Sequence, residues 1–246
     1  MIVHLLAHFD DEYCAVPLIL ANRRAGLDQR FVYVADYASP EVTRVRMAET
    51  HAFLSGLGIA PEKVIHAASQ VADGALHQDP LKAFEAARGA VEALGPASGF
   101  VTTAWEGGHA DHDLCAAMTV ALAGGRPIQQ ISLYQGRNTP GPLFATGDPI
   151  PENGPATRIR LPLADWLAWA LAVRRYPSQW KSWAGLWPTM FASYLRRGFC
   201  VQALAPARVL ERPHLGRLLY ERRFGVAYEA VRAAADEILA LRPGRA

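Results

Sequence analysis

The sequence has few cysteines, few lysines and almost no net charge. Cys14, Cys115 and Cys200 are odd in number and far apart, which excludes a disulfide framework and favours a reducing compartment. The 25 basic and 23 acidic side chains give a formal charge of +2, too small to indicate a nucleic-acid or membrane partner. Only three of the basic residues are lysine, which together with the abundant alanine reflects genomic base composition and not function.

Long hydrophobic runs are also missing. A membrane-spanning helix needs about 20 apolar residues, and the longest candidate, residues 161–173, is interrupted by Asp165. The N-terminus has no basic leader and reaches Asp10 too soon for a signal peptide, so we expect a cytoplasmic protein with no membrane span. Hydrophobic residues make up 51% of the 246 residues, enough to form the core of one large domain or two small ones.

Short apolar runs alternate with amphipathic stretches through the first 134 residues. Ser39-Pro40 and Asp79-Pro80 are typical helix N-termini, because a capping side chain is followed by proline at the first helical position. Alternating strands and helices form right-handed βαβ units, so we predict an α/β fold, a Rossmann-like three-layer sandwich with a mostly parallel sheet. The predicted strands are 2–7, 31–35, 64–68, 100–105 and 128–134.

The later part of the chain differs in composition. Residues 136–156 are rich in glycine and proline, which predicts a long connection acting as a linker or a functional lid. Helices are expected over 163–174, 180–197 and 228–241. We therefore predict a single domain over residues 1–246, with an α/β core in 1–135 and a lid and helical C-terminal extension in 136–246.

Two polar clusters follow the first and fourth predicted strands, at the edge where parallel sheets bind ligands. His8 and Asp11 are three residues apart, as are His109 and His112, a spacing that places side chains on one side of a helical turn. Two imidazoles and a carboxylate suit Zn²⁺ with an open position for water. The remaining Asp10 can accept the proton of that water, and a cationic His109 can stabilise an oxyanion.

Each cluster has a plainer interpretation when taken alone. His109 and His112 could lie at a surface helix start, and Asp10 and Asp11 could be first-turn acids favoured by the helix dipole. An acidic pair after the first strand also occurs in a magnesium-binding phosphoacceptor receiver domain. That alternative needs an acceptor aspartate after the third strand, which ends at Ala68, and a suitably placed lysine, and the chain offers neither.

The two clusters resemble the motifs of the LmbE/PIG-L family of zinc-dependent N-acetylglucosaminyl deacetylases, Ala-His-Pro-Asp-Asp-Glu and His-Pro-Asp-His. They stand here at residues 7–12 and 109–112, with Phe9 and Ala110 in place of the two prolines. Because proline restricts the backbone, its loss could loosen the site, although every ligand side chain is present. Three weaker similarities accompany them, at Arg46-x-x-Glu49, Asp73-Gly74 and Tyr176-x-Ser178-Gln179. The resemblance as a whole covers residues 1–185.

The resemblance implies that His8, Asp11 and His112 bind one zinc ion. It also implies that Asp10 is the general base and that His109 assists the tetrahedral intermediate formed when a zinc-bound water attacks the N-acetyl group. The family acts on N-acetylglucosamine units, so the expected partner is a small amino-sugar conjugate as substrate. A broader amidase or a non-catalytic binder with the same fold and metal site is the alternative.

Other residues carry weaker indications. Arg46, Asp73 and Glu106 are candidate substrate contacts, although ion pairs or helix caps explain them equally well, and Glu106 could instead orient a histidine of the second motif. The pairs Arg196-Arg197 and Arg222-Arg223 could bind an anionic group such as phosphate, with solvated helix faces as the plainer interpretation.

Tryptophan is concentrated in one short stretch, because five of the six lie between residues 166 and 187. Trp180, Trp183 and Trp187 have helical spacing and would share one face. This pattern is typical of a core or a subunit interface, so a homo-oligomer through the C-terminal helices is a possible assembly. The alternative is a wall of the site that contacts a sugar ring or an acyl chain.

Overall fold

The computed structural model describes residues 1–241. Its helices and strands, in chain order, are β1 (Ile2–Leu6), α1 (Val16–Arg24), β2 (Gln29–Tyr33), α2 (Pro40–Gly56), β3 (Val64–His66), α3 (Pro80–Ala93), β4 (Gly99–Thr103), α4 (Ala110–Ala123), β5 (Ile128–Ile131), β6 (Tyr134–Gln135), β7 (Ala145–Thr146), β8 (Ala156–Ile159), α5 (Leu163–Ala172), α6 (Trp180–Arg197), β9 (Phe199–Ala203), α7 (Leu219–Arg223) and α8 (Tyr228–Ala240). No helix of these residues is both long and apolar enough to span a bilayer.

A seven-stranded sheet with the order β3-β2-β1-β4-β5-β9-β8 lies at the centre of the fold. The five strands predicted from the sequence are all present and parallel to one another. At one edge, β9 runs antiparallel to β5, and β8 runs antiparallel to β9. The predicted α/β fold with a mostly parallel sheet is therefore confirmed.

The two antiparallel strands were missed by the sequence analysis. Strand β8 begins inside the stretch predicted as an irregular connection, and its alternation is weak because both faces are partly exposed. Strand β9 follows α6 after one residue, so its apolar side chains resemble a continuation of the helical pattern. The later half of the chain thus adds helices, as predicted, and also two strands of the main sheet.

Helices cover both faces of the sheet and complete the predicted three layers. On one face, α3, α4 and α8 pack over a core that includes Phe84, Leu114 and Ile238. On the other face, α1, α2, α5 and α6 enclose a core that includes Phe53 and Trp169. Burial of both sheet faces explains why the parallel strands are continuous apolar runs and do not alternate.

Helix starts follow the predicted signals. Helix α2 begins at Pro40, and the Ser39 side chain accepts a hydrogen bond of 3.3 Å from the Val42 N–H. Helix α3 begins at Pro80 as expected, but the Asp79 side chain makes no capping hydrogen bond. Proline at the first helical position, more than the cap, is therefore the common feature of these two starts.

The neighbouring strands β1 and β4 place the polar clusters together. The two strands are paired in parallel, with Leu5 opposite Thr102, so their carboxyl ends leave the sheet side by side. The chain after β1 forms a 3-10 turn over Asp11–Ala15, and the chain after β4 enters α4. The expectation that both motifs meet at one sheet edge is met by this pairing.

Candidate functional site

Three donor atoms of the predicted metal ligands converge at the carboxyl edge of the sheet. His8 Nδ1 lies 3.2 Å from His112 Nε2, and His112 Nε2 lies 3.1 Å from Asp11 Oδ1. His8 Nδ1 lies 3.8 Å from Asp11 Oδ2. A tetrahedral ion with bonds of ~2.0–2.1 Å separates its ligand atoms by about 3.3 Å. The His8–His112 and His112–Asp11 distances match this spacing, whereas the 3.8 Å distance runs from His8 to the second oxygen of Asp11. All three side chains are buried.

The second ring nitrogen of His8 is held by carboxylates. His8 Nε2 lies 3.2 Å from Asp111 Oδ2 and 3.1 Å from Asp73 Oδ1. Asp111 is itself fixed, because it accepts the Gly74 N–H at 2.7 Å and the Leu76 N–H at 3.2 Å. These contacts place the proton of His8 on Nε2 and leave Nδ1 free to bind a metal, an arrangement common around ligating histidines.

Two further sets of donor atoms are close enough to hold an ion. One nitrogen each of His8, His109 and His112 lie within 4.8 Å of one another, as do donor atoms of His8, Asp73 and Asp111. In the second set, Asp111 already accepts two backbone N–H groups, so its role is to orient His8. Neither set contains Asp11, but Asp11 Oδ1 lies 3.1 Å from His112 Nε2, so Asp11 remains the predicted third ligand.

The charges of the site reinforce one another. Burial opposes ionisation of Asp11, but His112 and His8 outweigh it and hold the pKa of Asp11 well below its usual range. Burial alone would lower the pKa of His8, but the surrounding carboxylates, led by Asp73, raise it well above its ordinary value. The cluster therefore favours positive charge between its carboxylates, which an imidazolium or a divalent cation can supply.

Asp10 lies beside the predicted metal ligands and has a constrained backbone. Its φ of 138° is in the region that non-glycine residues rarely adopt. Burial, followed by the charge of Asp11, raises the pKa of Asp10 well above its ordinary value. A carboxylate with a raised pKa is a stronger proton acceptor when ionised, which suits the predicted general base.

The surroundings of Phe9 restrain the backbone of the first motif, in which Phe9 replaces a proline. The Phe9 N–H donates to the Tyr37 hydroxyl at 2.8 Å, and the Phe9 carbonyl accepts from Gln179 Nε2 at 3.0 Å. The ring is fully buried and packs 4.6 Å from the Tyr33 ring, measured between centroids. Two hydrogen bonds and a packed ring thus restrain the backbone beside Asp10 where a proline would restrain it covalently.

His109 occupies the position before α4, and its Nδ1 accepts the Asp111 N–H at 3.3 Å. Nδ1 is therefore unprotonated, and the ring proton lies on Nε2. Burial lowers the pKa of His109 to about 4. Such a pKa favours a neutral imidazole over the expected cationic one, and the neutral ring can still donate a hydrogen bond through Nε2.

The three candidate substrate contacts have different surroundings. Arg46 and Asp73 both line the cavity, with Arg46 Nη1 3.7 Å from Asp73 Oδ2 and the guanidinium 4.2 Å from the centroid of the Tyr37 ring. Glu106 is buried behind the site and accepts hydrogen bonds from the Ser132 hydroxyl and from the backbone after β5. Its oxygens thus bond to the β5–β6 connection, whereas Arg46 and Asp73 remain predicted substrate contacts.

Gly108 lets the second motif approach the β6 strand. A Cβ atom at Gly108 would lie 1.9 Å from the Tyr134 carbonyl oxygen, so a larger residue would displace this loop. The close approach sets the Tyr134 ring 5.5 Å from the His112 ring, measured between centroids. The glycines before His109 thus have a packing role that the sequence motif did not reveal.

A cavity of about 390 Å³ opens above the predicted ligands. Besides the predicted residues, its lining includes side chains that the sequence analysis did not assign to the site. These are Cys14, Leu133, Tyr134, Phe144, Gln179, Lys181, Ser182, Trp183, Leu186, Met190, Arg223 and Phe224. Of these, Gln179, Trp183 and Arg223 belonged to patterns noted in the sequence, whereas most of the others come from segments with no motif of their own.

The tryptophan stripe of α6 divides among three environments. Trp183 is buried and lines the cavity, Trp187 is half-buried and donates through Nε1 to the Tyr13 hydroxyl at 3.1 Å, and Trp180 is 62% exposed. Core packing and the wall of the site therefore share this helix face. Self-association through the exposed part remains a prediction.

Residues of the weaker sequence similarities contact one another in the structure. Ser178 donates through its N–H and its hydroxyl to the two carboxylate oxygens of Glu49, at 2.7 Å each. The Tyr176 hydroxyl donates to Glu12 Oε1 at 2.8 Å. The Tyr-x-Ser-Gln element thus connects α2 and the first motif to the start of α6.

Comparisons with known proteins agree with this architecture. No family model matches the chain, and no curated protein matches its sequence. Among solved structures, the zinc-inhibited form of teicoplanin deacetylase Orf2 superposes with a TM-score of 0.62 at 14% identity, over 83% of this chain and 97% of the other. The N,N'-diacetylchitobiose deacetylase of Pyrococcus horikoshii gives 0.57 at 14% identity, over 87% of each chain. The chain has the fold of LmbE/PIG-L deacetylases.

This fold also supports another reaction. GalB, the 4-carboxy-2-hydroxymuconate hydratase of Pseudomonas putida KT2440, superposes with a TM-score of 0.52 at 15% identity, over 82% of this chain and 94% of the other. Because one fold hosts different reactions, the reaction has to be argued from the residues of the site.

Proposed function

We propose that this protein is a metal-dependent hydrolase that removes the N-acetyl group of a small amino-sugar conjugate. The observation that carries the proposal is the convergence of His8, Asp11 and His112, with Asp10 and His109 lining the same cavity. The LmbE/PIG-L deacetylase fold supports it, and the donor set of two imidazoles and a carboxylate suits Zn²⁺ with an open coordination position.

The residues around the ligands have complementary roles in amide hydrolysis. When bound, the cation would polarise the amide carbonyl and lower the pKa of a water molecule. Asp10 accepts the proton of the attacking water and returns it to the departing amine nitrogen. The neutral His109 donates its Nε2 proton as a hydrogen bond to the developing oxyanion. Asp111 keeps His8 in the tautomer with Nδ1 unprotonated.

Acetate release tests the proposal directly. We expect purified protein to contain about one divalent metal ion per chain and to release acetate from at least one N-acetylglucosamine conjugate in a panel with sugar, thiol-linked and lipid aglycones. A chelator should abolish the release, and Zn²⁺ should restore it. Release of other acyl groups at equal rates would indicate the broader amidase, and bound metal without any release would indicate a non-catalytic binder.

Asp10→Asn tests the assignment of the general base. The variant should keep the metal content of the wild type but lose about 10²- to 10⁴-fold in kcat, because asparagine cannot accept the proton. Metal analysis and steady-state acetate release measure the two effects. Full activity of the variant would refute the assignment.

A further inference from the structure

The two adjacent arginines at the end of α7 have different surroundings. Arg222 points into the protein, where its Nη2 donates to the Gly136 carbonyl at 2.8 Å and its Nη1 donates to the Thr139 carbonyl. Arg223 lines the cavity, and its guanidinium lies 5.4 Å from the centroid of the Phe144 ring and 5.7 Å from that of Phe224. Arg222 is thus occupied in holding a loop, whereas Arg223 faces the site.

A second cation, Lys181, lines the same cavity from the start of α6. Within residues 1–241, no carboxylate lies within 4.0 Å of the charged nitrogens of Lys181 or Arg223. Arg46, the third cation of the cavity, differs because it lies 3.7 Å from Asp73. The cavity therefore has carboxylates around the predicted metal ligands and, elsewhere in its lining, two cations that have no anionic partner.

We propose that Arg223, assisted by Lys181, binds an anionic group, a carboxylate or a phosphate, on the part of the substrate outside the acyl group. This inference rests on the proposed function. Two aromatic rings lie within 6 Å of the Arg223 guanidinium, and within residues 1–241 its N–H groups make no hydrogen bond. A guanidinium in this situation can bind a planar or tetrahedral oxyanion in a bidentate manner. Lys181 lines the same cavity from a different helix, so the two cations reach the cavity from separate elements.

The position of these cations fits recognition and not the reaction itself. Both side chains are exposed, whereas His8, Asp11 and His112 are buried. An anion at the exposed side would gain charge-assisted hydrogen bonds with little desolvation cost, and the cations would attract it as it approaches. The substrate class is therefore an N-acyl amino sugar that carries an acidic substituent.

Matched substrates provide the test. We expect kcat/KM to be at least about tenfold higher for one or more of N-acetylglucosamine 1-phosphate, N-acetylglucosamine 6-phosphate and N-acetylmuramic acid than for N-acetylglucosamine, because hydrogen bonds to charged groups contribute about that factor. Arg223→Gln should reduce this preference in kcat/KM about tenfold, and Lys181→Gln should reduce it by a smaller factor. Arg126→Gln, which removes a charge at the opposite end of the sheet before β5, should leave the preference unchanged.

Binding without turnover separates this inference from the hydrolase assignment. Calorimetry should show tighter binding of glucosamine 6-phosphate or muramic acid than of glucosamine, and Arg223→Gln should remove the difference. If acetate is released equally from all probes and Arg223→Gln alters neither rates nor binding, the anion site is refuted and the hydrolase stands. If neither these probes nor the aglycone panel releases acetate but the binding preference depends on Arg223, the anion site stands and the hydrolase is refuted.

Discussion

The floor and the mouth of the cavity differ in how their side chains are held. The floor consists of His8, Asp10, Asp11, His109 and His112, and the mouth consists of Phe144, Lys181, Arg223 and Phe224. The side chains of His8, Asp11, His109 and His112 hydrogen-bond to one another or to the nearby backbone, and the three predicted ligands are buried. At the mouth, Phe224 is 49% exposed, and the two cations contact aromatic rings. A preorganised floor suits a reaction, whereas an adaptable mouth suits selection among substrates.

The largest expected effect is at the floor. His112→Ala removes one of three ligands, so we expect metal affinity to fall by more than about tenfold and acetate release to become undetectable. Metal content after dialysis and the activity assay measure these effects. His51→Ala changes a half-buried histidine of α2 outside the cavity and is the matched control. Normal metal content in His112→Ala would contradict the ligand assignment.

A smaller effect is expected at Tyr37, which lies outside the floor and hydrogen-bonds to the backbone beside Asp10. Tyr37→Phe removes the hydroxyl that accepts the Phe9 N–H and leaves this buried group unpaired, at a cost of about 1–3 kcal/mol in the free energy of unfolding. Because Asp10 follows Phe9, kcat should fall about three- to tenfold with little change in KM. Thermal denaturation and steady-state kinetics test both parts. Lost stability with unchanged kcat would show that Tyr37 supports the fold only.

The mouth should respond in KM and not in kcat. Phe144→Ala removes a half-buried ring of the cavity, and we expect KM to rise about two- to tenfold while kcat stays within about twofold. Leu143→Ala changes the neighbouring side chain, which is 59% exposed and outside the cavity lining, and should have no effect. A large loss of kcat in Phe144→Ala would remove the distinction between floor and mouth.

The smallest effect is expected from the buried carboxyl of Glu106, which lies beneath the floor and should change the pH dependence of stability. Burial raises the pKa of Glu106 to about 8, so its protonated form is favoured in the folded state. The stability that it contributes is fully present below the ordinary pKa of about 4.3 and is lost as the pH rises through about 8. Glu106→Gln should therefore reduce the decrease in Tm between pH 5 and pH 8. An unchanged pH dependence of Tm would contradict the raised pKa.

The five parallel strands and the donor set of the floor could be predicted because their signals are local. Each strand of the parallel part is a short apolar run, and the residues after β1 and β4 are brought together by strand pairing alone. Strands β8 and β9 could not be found in this way. They pair with each other and with β5 across long sequence separations, and one of them lies at the exposed edge of the sheet.

The sequence by itself determined the fold class and the residues offered as metal ligands, since both depend on residue type and short spacing. The tertiary structure decided which histidine nitrogen faces Asp11, why burial lowers the pKa of His109 and why Glu106 bonds to a loop. It also decided that Arg222 holds a loop through hydrogen bonds while Arg223 faces the cavity. Burial and partners from distant segments set tautomers, pKa values and side-chain directions, and neither is encoded in local spacing.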